Sequence, residues 1–260
     1  MTKFDPKIYE RDVFQDSIYS AWLKYSNERD VLEKVFRKKI NDWCTKSKLS
    51  ILDIGCGTGS AALRIFKILN EKGVAYEYTG IDPYKDQLER FKESIFYHHL
   101  PQKNIELIVS KIEDFQTNKK YDLAVVVHSL YYVDDLERVI KKIFSLADKL
   151  VIVHHGKYGI NEVHQAFHSL VRKGPNIIGT YEKIARILDS LKIPYNLEIY
   201  DTYVDVSSCK DPKNEDGRKL IKFFLEHSVL SEDIIEEVSK WFRTKPDIMR
   251  HDVGYFFITR

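Results

Sequence analysis

The chain has 260 residues, of which 43% are hydrophobic and 31% are charged, and its net charge is +2. This composition is that of an ordinary globular protein and excludes a disordered or strongly basic chain. Its basic clusters are short and scattered, no apolar run reaches the roughly 20 residues that span a bilayer, and the first residues lack a secretory h-region. The cysteines, Cys44, Cys56 and Cys209, lack metal-ligand spacing and predict free thiols. We therefore expect a cytoplasmic protein whose partners include neither nucleic acid nor membrane.

Residues 1–48 are predicted to be helical. An aromatic stretch comes first, comprising Tyr9, Phe14, Tyr19, Trp22 and Tyr25. An apolar stripe at helical spacing follows, comprising Val31, Leu32, Val35, Phe36, Ile40 and Trp43. Glu28 lies in the break between the two segments. It belongs either to a helix-start turn or to a lid in which its carboxylate points inwards.

From residue 49 to residue 155, strands alternate with helices, which predicts an α/β fold with a parallel sheet. The predicted strands are 49–54, 76–81, 105–109, 121–127 and 149–154, and the helices between them are about 59–72, 84–98 and 134–147. Beyond them we predict a helix over 180–191, a strand over 196–206, helices over 215–227 and 231–243, and a final strand over 253–259.

The first strand runs directly into a glycine-rich turn. Asp53 precedes Gly55, Gly57 and Gly59, and Ser60 stands where a G-x-G-x-x-G dinucleotide fingerprint would place its last glycine. A carboxylate at the mouth of this turn suits a ligand with a positive end and no phosphates, such as S-adenosylmethionine with its ammonium and sulfonium. The alternatives are an ordinary glycine-rich turn and a nicotinamide or flavin site.

The second strand ends at Asp82, which is followed by Pro83. An acidic residue about 20 positions after the glycine turn can accept hydrogen bonds from both hydroxyls of a ribose. An Asp-Pro pair is also common in plain loops. Its position after the glycine turn favours the ligand-binding interpretation.

The fourth strand ends in His128, Ser129, Leu130, Tyr131 and Tyr132. Polar and aromatic residues that follow a buried apolar run lie at the carboxyl edge of a parallel sheet, where ligands bind. We expect His128 and Tyr132 to line a substrate pocket, although a single histidine at a strand end is often structural.

Four histidines, His154, His155, His164 and His168, raise the possibility of a metal site. The helix that carries His164 and His168 lacks the glutamate of an H-E-x-x-H motif, and His168 is expected to face solvent. We therefore expect no metal. His155 and His164 are expected to border the substrate pocket instead.

The run from Asp53 to Gly59 resembles motif I of the class I S-adenosylmethionine-dependent methyltransferases. The resemblance implies a Rossmann-like, seven-stranded, mostly parallel sheet with an antiparallel last strand. We expect a helical N-terminal lid over 1–48 and a cofactor-binding domain with substrate-binding insertions over 49–260. The cofactor-binding residues that the resemblance implies are Asp53, Gly55, Gly57, Gly59, Asp82, Pro83, Gln87, Lys111, Ile112 and Val127.

Further segments resemble histamine N-methyltransferase in order along nearly the whole chain. They include Trp22 to Glu28, Asp82-Pro83 with Gln87, His128 to Val133, Asp201 to Ser207 and Asn214 to Gly217. The resemblance implies that Gln87 contacts the cofactor, that Glu28 binds the amine and that Tyr132 walls the pocket. This chain departs from the family in having His128 in place of a substrate-binding glutamine, and Asp252 at or near a C-terminal asparagine.

Together these features predict transfer of a methyl group to a nitrogen of a small amine or imidazole by a monomeric enzyme. Glu28, His128 and Asp252 are the predicted catalytic residues. An aromatic wall is expected from Tyr9, Phe14, Tyr19 and Tyr132. The alternatives are an O- or C-methyltransferase of small-molecule metabolism and a non-catalytic regulator that binds the cofactor.

Overall fold

The computed structural model describes residues 18–43, 47–171 and 179–260. The strands are β1 (Lys48–Ile54), β2 (Ala75–Asp82), β3 (Ile105–Val109), β4 (Tyr121–Val127), β5 (Ala147–His155), β6 (Tyr195–Asp205) and β7 (Ile248–Thr259). The helices are α1 (Ile18–Tyr25), α2 (Glu28–Trp43), α3 (Ala62–Glu71), α4 (Lys85–Tyr97), α5 (Leu136–Leu146), α6 (Ile160–Ala166), α7 (His168–Val171), α8 (Tyr181–Ser190), α9 (Glu215–Leu225) and α10 (Glu232–Arg243). Within these residues, no helix combines the length and apolar character that crossing a bilayer requires.

Beyond residue 48, the predicted strands and helices are present among the described residues, and two boundaries differ by three residues or more. Helix α3 begins at Ala62 rather than at residue 59, because the glycine turn continues past Gly59. Strand β7 begins at Ile248 rather than at residue 253. The first residues of β7 include Arg250, His251 and Asp252, and these polar side chains hide the strand pattern in the sequence.

The sheet has seven strands in the order β3-β2-β1-β4-β5-β7-β6. Strands β1 to β5 pair in parallel, which requires crossover connections, and β7 is antiparallel. The predicted Rossmann-like fold is therefore confirmed. In the register of the sheet, Asp53 of β1 lies opposite Gly80 of β2 and Val125 of β4, so the parallel strands bring their carboxyl ends to one edge.

The chain forms two compact units. The sheet unit comprises Arg29–His154, Lys183–Ile199 and Gly254–Arg260, and the helical unit comprises the described residues of Met1–Glu28, His155–Glu182 and Tyr200–Val253. These units are defined by compactness alone. The predicted division into a lid over 1–48 and a cofactor-binding domain over 49–260 assigns roles to segments, and it stays a prediction.

An aromatic cluster in the sheet unit supports the glycine turn. The Phe66 ring of α3 stacks on Tyr76 of β2 at 4.8 Å between centroids and meets Tyr78 edge-on at 4.9 Å. Phe91 of α4 meets Tyr78 edge-on at 5.8 Å. Because these rings are buried and contact one another on one face of β2, they hold the Tyr78 side chain in one orientation.

In the helical unit, Trp22 of α1 forms the centre of the core. Its ring stacks on Phe223 of α9 at 5.1 Å, and it meets Phe224 edge-on at 6.1 Å and the His251 imidazole edge-on at 5.3 Å. Trp22 is 2% exposed. This packing fixes the plane of the His251 ring.

Candidate functional site

The three glycines after β1 form a turn that only glycine adopts without strain. Gly55, Gly57 and Gly59 all have positive φ angles, of 70°, 52° and 80°. A Cβ atom on Gly57 would meet no atom within 4 Å, so the turn presents bare backbone to open space there. Such a surface allows a ligand to lie directly against the main chain.

Asp53 is a buried carboxylate behind this turn. The hydroxyl of Tyr78 donates a hydrogen bond of 2.7 Å to its Oδ2 atom. Burial raises the pKa of the Asp53 carboxyl from 3.8 to about 7, and the charge of Asp82 adds to the shift, while Tyr78 and Arg29 oppose it. Ionisation of Asp53 in this buried position therefore carries a desolvation cost, which a cationic ligand would offset.

Asp82 connects the end of β2 to the glycine turn. Its Oδ2 atom accepts a hydrogen bond from the Gly57 N–H at 2.9 Å, and its Oδ1 atom accepts one from the Tyr84 N–H at 2.9 Å. Burial raises the pKa of this carboxyl as well, although the two backbone donors oppose the shift. Each carboxylate oxygen has a second lone pair for a ligand hydroxyl.

Substitution of Asp53 by asparagine is expected to stabilise the ligand-free protein at pH 8. The folded state binds the Asp53 proton more tightly than the unfolded state, so stability is lost as the pH rises from 3.8 to about 7. At about 1.4 kcal/mol per pKa unit, the substitution is expected to raise the free energy of unfolding by about 2 to 4 kcal/mol at pH 8, and by less at pH 5. Thermal unfolding at both pH values measures the difference. An equal gain in stability at the two pH values, or a larger gain at pH 5 than at pH 8, would contradict the raised pKa of Asp53.

The other predicted cofactor residues lie at or shortly after the ends of β2, β3 and β4, and they differ in their exposure to solvent. Gln87 of α4, Ile112 after β3 and Val127 at the end of β4 are buried. Pro83 and Lys111 are exposed. Their contact with a cofactor stays a prediction.

The residues after β4 form a small polar and aromatic cluster. His128 has a φ of 53°, and its Nδ1 atom lies 3.0 Å from the Tyr131 hydroxyl. The Tyr131 ring meets His154 edge-on at 4.2 Å. Tyr132, the predicted wall residue, is 42% exposed. The tyrosine that contacts His128 is therefore Tyr131, which the sequence reasoning did not select.

In the helical unit, the break between α1 and α2 is fixed by β6. The Asn27 N–H donates to the Tyr203 carbonyl at 3.0 Å, and the Asn27 side-chain oxygen accepts from the Tyr203 N–H at 2.8 Å. The Glu28 N–H in turn donates to the Ser26 hydroxyl at 3.2 Å. The break is thus a helix-start turn, and it also places the Glu28 carboxylate inside the unit.

Glu28 lies between two imidazoles. It is 1% exposed, and its Oε2 atom lies 3.0 Å from Nε2 of His251 and 3.6 Å from Nε2 of His155. A buried carboxylate is costly unless it is paired with positive charge or hydrogen-bond donors. The predicted inward orientation of Glu28 agrees with this burial.

Asp252 is engaged by the protein itself. Its Oδ1 atom accepts from the Tyr158 N–H at 2.8 Å, and its Oδ2 atom accepts from the Tyr181 hydroxyl at 3.1 Å. Burial and the Asp252 charge raise the pKa of Tyr181 to about 12. This geometry favours a role for Asp252 in holding the 156–158 loop and the start of α8, and its predicted contact with an amine remains untested.

The remaining predicted residues fall in several places. His164 is buried, with Nε2 against the Phe224 carbonyl, and His168 is exposed as predicted. Tyr19 packs on Phe223 at 6.1 Å between ring centroids. Tyr9 and Phe14 lie outside the described residues.

Sequence reasoning missed His251. The structure brings it against Glu28 across a separation of 223 positions. A signal was present in the polar run of Arg250, His251 and Asp252 directly before the predicted last strand. Polar residues beside a predicted strand are candidates for a functional site.

Comparison with known proteins identifies similar sequences and folds. Residues 45–176, about half of the chain, match the family described as Methyltransferase domain. Histamine N-methyltransferase of Rattus norvegicus is 25% identical over 84% of this chain and 83% of its own length. Malonyl-(acyl-carrier protein) O-methyltransferase of Acetivibrio thermocellus is 28% identical over 55% of this chain and 51% of its own length. The plantazolicin methyltransferase BpumL, solved in complex with SAH, has a TM-score of 0.53 at 15% identity, covering 94% of this chain and 89% of that chain.

Proposed function

Because this chain belongs to the methyltransferase domain family, we propose that it transfers the methyl group of S-adenosylmethionine to a nitrogen of a small amine or imidazole. The reaction class itself, S-adenosylmethionine-dependent methyl transfer, follows from the family. The nitrogen acceptor is the proposal. The observation that carries it is the buried Glu28 carboxylate in the helical unit.

The residues of the glycine turn fit the cofactor. S-adenosylmethionine carries a sulfonium and an ammonium, and burial raises the pKa of both Asp53 and Asp82, a cost that a cationic ligand would offset. We propose that Asp53 faces the positive end of the cofactor and that Asp82 accepts from its ribose hydroxyls. The open side of Gly57 would lie against the cofactor.

Substitution of Gly57 by alanine is expected to weaken S-adenosylmethionine binding about tenfold or more, because the added methyl group occupies the space of the ligand. The positive φ adds a backbone cost of about 1 to 2 kcal/mol. Gly73→Ala is the matched control, since Gly73 has a φ of 66° and a Cβ there also meets no atom within 4 Å. Calorimetric titration of both variants with S-adenosylmethionine separates the loss of ligand space from the backbone cost, which the two variants share. Equal affinities in the two would remove Gly57 from the cofactor site.

The acceptor proposal rests on charge. Glu28 offers a carboxylate that is almost fully removed from water, and a cationic group of the acceptor, at a nitrogen other than the one that is methylated, would form a charge-assisted hydrogen bond with it. An imidazole N–H would supply a donor in the same position. Among the relatives, the names histamine N-methyltransferase and carnosine N-methyltransferase 2 denote enzymes that act on compounds with nitrogen acceptors. We propose that Glu28 binds the acceptor in this chain.

Methyl transfer from a sulfonium is an in-line displacement at carbon, and alignment of the nucleophile contributes much of the catalysis. The reacting nitrogen must present an unprotonated lone pair to the methyl group. We propose that His128 hydrogen-bonds the acceptor or receives its proton, which its place directly after β4 and its contact with Tyr131 support. Asp252 is proposed to act indirectly by holding its loop.

A screen of biogenic amines and imidazoles with labelled S-adenosylmethionine tests the acceptor proposal. Hydroxyl and carboxyl acceptors belong in the same screen, because one relative is named an O-methyltransferase. Product mass and NMR identify the methylated atom. Turnover with nitrogen acceptors alone supports the proposal, and turnover restricted to oxygen or carbon acceptors overturns it.

We further propose that the enzyme acts as a monomer in a reducing compartment. The thiols of Cys56 and Cys209 are both free and buried, which supports the second point. Sedimentation at several protein concentrations measures the mass in solution. A concentration-dependent dimer would contradict the first point.

A further inference from the structure

We propose that Glu28, His155 and His251 form a binding site for a divalent transition-metal ion. One Glu28 oxygen and one nitrogen from each histidine lie within 4.8 Å of one another, and all three residues are buried. Two imidazoles and one carboxylate are a ligand set that binds Zn²⁺ and related ions, with a further position left open for another ligand.

The distances fit a tetrahedral ion. With metal–ligand bonds of about 2.0 to 2.2 Å, the ligand atoms of a tetrahedral site lie about 3.4 Å apart. The Glu28 oxygen lies 3.0 Å from the His251 nitrogen and 3.6 Å from the His155 nitrogen. The two imidazole rings are 4.7 Å apart between centroids, at 72° to each other, and one nitrogen of each lies within 4.8 Å of the other.

The surroundings of His251 supply a second observation. Its Nε2 atom faces the Glu28 carboxylate, and its Nδ1 atom faces the Tyr158 carbonyl at 3.4 Å. A neutral imidazole has one N–H and can satisfy only one of two such acceptors. With a metal ion on Nε2, the Nδ1–H donates to the carbonyl, which is the usual second contact of a metal-bound histidine.

The ring is also held in place from two sides. Trp22 packs edge-on against it, and a Cβ atom on Gly159 would lie 2.7 Å from Nδ1. Rigid placement of a ligand lowers the entropy lost when an ion binds. The cluster thus has the burial, the donor atoms and the supporting contacts of a built site.

This ligand set differs from the four histidines considered in the sequence. His154 packs against Tyr131 in the sheet unit, His164 contacts the Phe224 carbonyl and His168 is exposed. Only His155 belongs to both groups. The proposed ligand set therefore includes His251, which the sequence pattern does not single out.

The proposal of a metal site does not depend on which acceptor the enzyme methylates. While an ion is bound, it balances the charge of Glu28, so the ion and a cationic amine would not occupy this carboxylate together. Zinc is expected to raise the KM of any cationic amine that the screen identifies and to leave the Kd of S-adenosylmethionine unchanged.

Calorimetric titration of the chelator-treated, full-length chain with ZnCl₂, without any acceptor, tests the proposal. We expect one ion per chain, with affinity reduced at least 100-fold in His251→Asn and His155→Asn. His168→Asn is the matched control and should bind zinc like the unchanged protein. Co²⁺ provides a second readout, since the visible bands of a low-coordinate cobalt ion should appear and then disappear in His251→Asn.

Thermal unfolding without metal verifies that each variant folds, and Glu28→Gln replaces any histidine variant that does not. Absence of zinc binding to the unchanged chain would overturn the proposal. So would zinc binding that persists in His251→Asn and His155→Asn, because the ion would then lie elsewhere. Neither outcome depends on methyl transfer, so failure of the metal site and failure of the acceptor proposal are distinguishable.

Discussion

Asp82→Asn is expected to weaken binding of S-adenosylmethionine about 100-fold. The two carboxylate oxygens already accept from the Gly57 and Tyr84 N–H groups, and each is proposed to accept a ribose hydroxyl as well. An asparagine amide has one acceptor oxygen, so it loses one backbone bond and one ribose bond. Hydrogen bonds to a charged group contribute about 1.5 to 3 kcal/mol each, which gives this magnitude.

Calorimetry with both S-adenosylmethionine and its demethylated product sharpens this experiment. The ribose is common to the two ligands, so the loss should be the same for both. Asp86→Asn is the control, since it removes the same charge four positions later, within the first turn of α4. A Kd within about threefold of the unchanged protein for Asp82→Asn would exclude the ribose assignment.

Glu28→Gln is expected to lower kcat/KM for a cationic amine about 100-fold. The glutamine has nearly the same shape but no charge, so an ammonium group loses its charge-assisted partner in a buried position. Because this interaction holds substrate and transition state alike, the effect should fall mainly on KM. Steady-state kinetics over a range of acceptor concentrations measures it.

Two controls accompany this substitution. Glu237→Gln changes the same charge at an exposed position of the helical unit and should leave the kinetics unchanged. The Kd of S-adenosylmethionine should stay the same in Glu28→Gln, since the proposed cofactor residues belong to the sheet unit. Unchanged kcat/KM for every amine tested would show that Glu28 does not bind the acceptor.

The sheet unit was predictable because its signals are local. A buried apolar strand followed by alternating glycines identified the turn from Asp53 to Gly59, and helical spacing identified α3, α4 and α5 with small boundary shifts. The predicted start of α10 in the helical unit also depends on a local signal, since Ser231 accepts from the Ile234 N–H as the N-cap residue.

The Glu28 cluster was only partly predictable, because its members meet through tertiary structure. The break between two helical segments and the family resemblance both indicate Glu28, and His155 directly follows a predicted strand. His251 lies in a strand segment whose polar residues obscure the alternation of buried and exposed positions. Nothing in a single sequence indicates that residues 223 positions apart share a hydrogen bond. The burial that makes the cluster notable appears only in the folded chain.

The two proposed ligand-binding sets belong to different compact units. Asp53, Gly57 and Asp82 lie in the sheet unit, while Glu28 and His251 lie in the helical unit. If the proposals hold, substitutions in the helical unit can change the acceptor, while the residues of the sheet unit continue to bind the methyl donor. Lineages with a common donor can diverge widely in their acceptors, and an overall identity of 25% says little about which acceptor a given member uses.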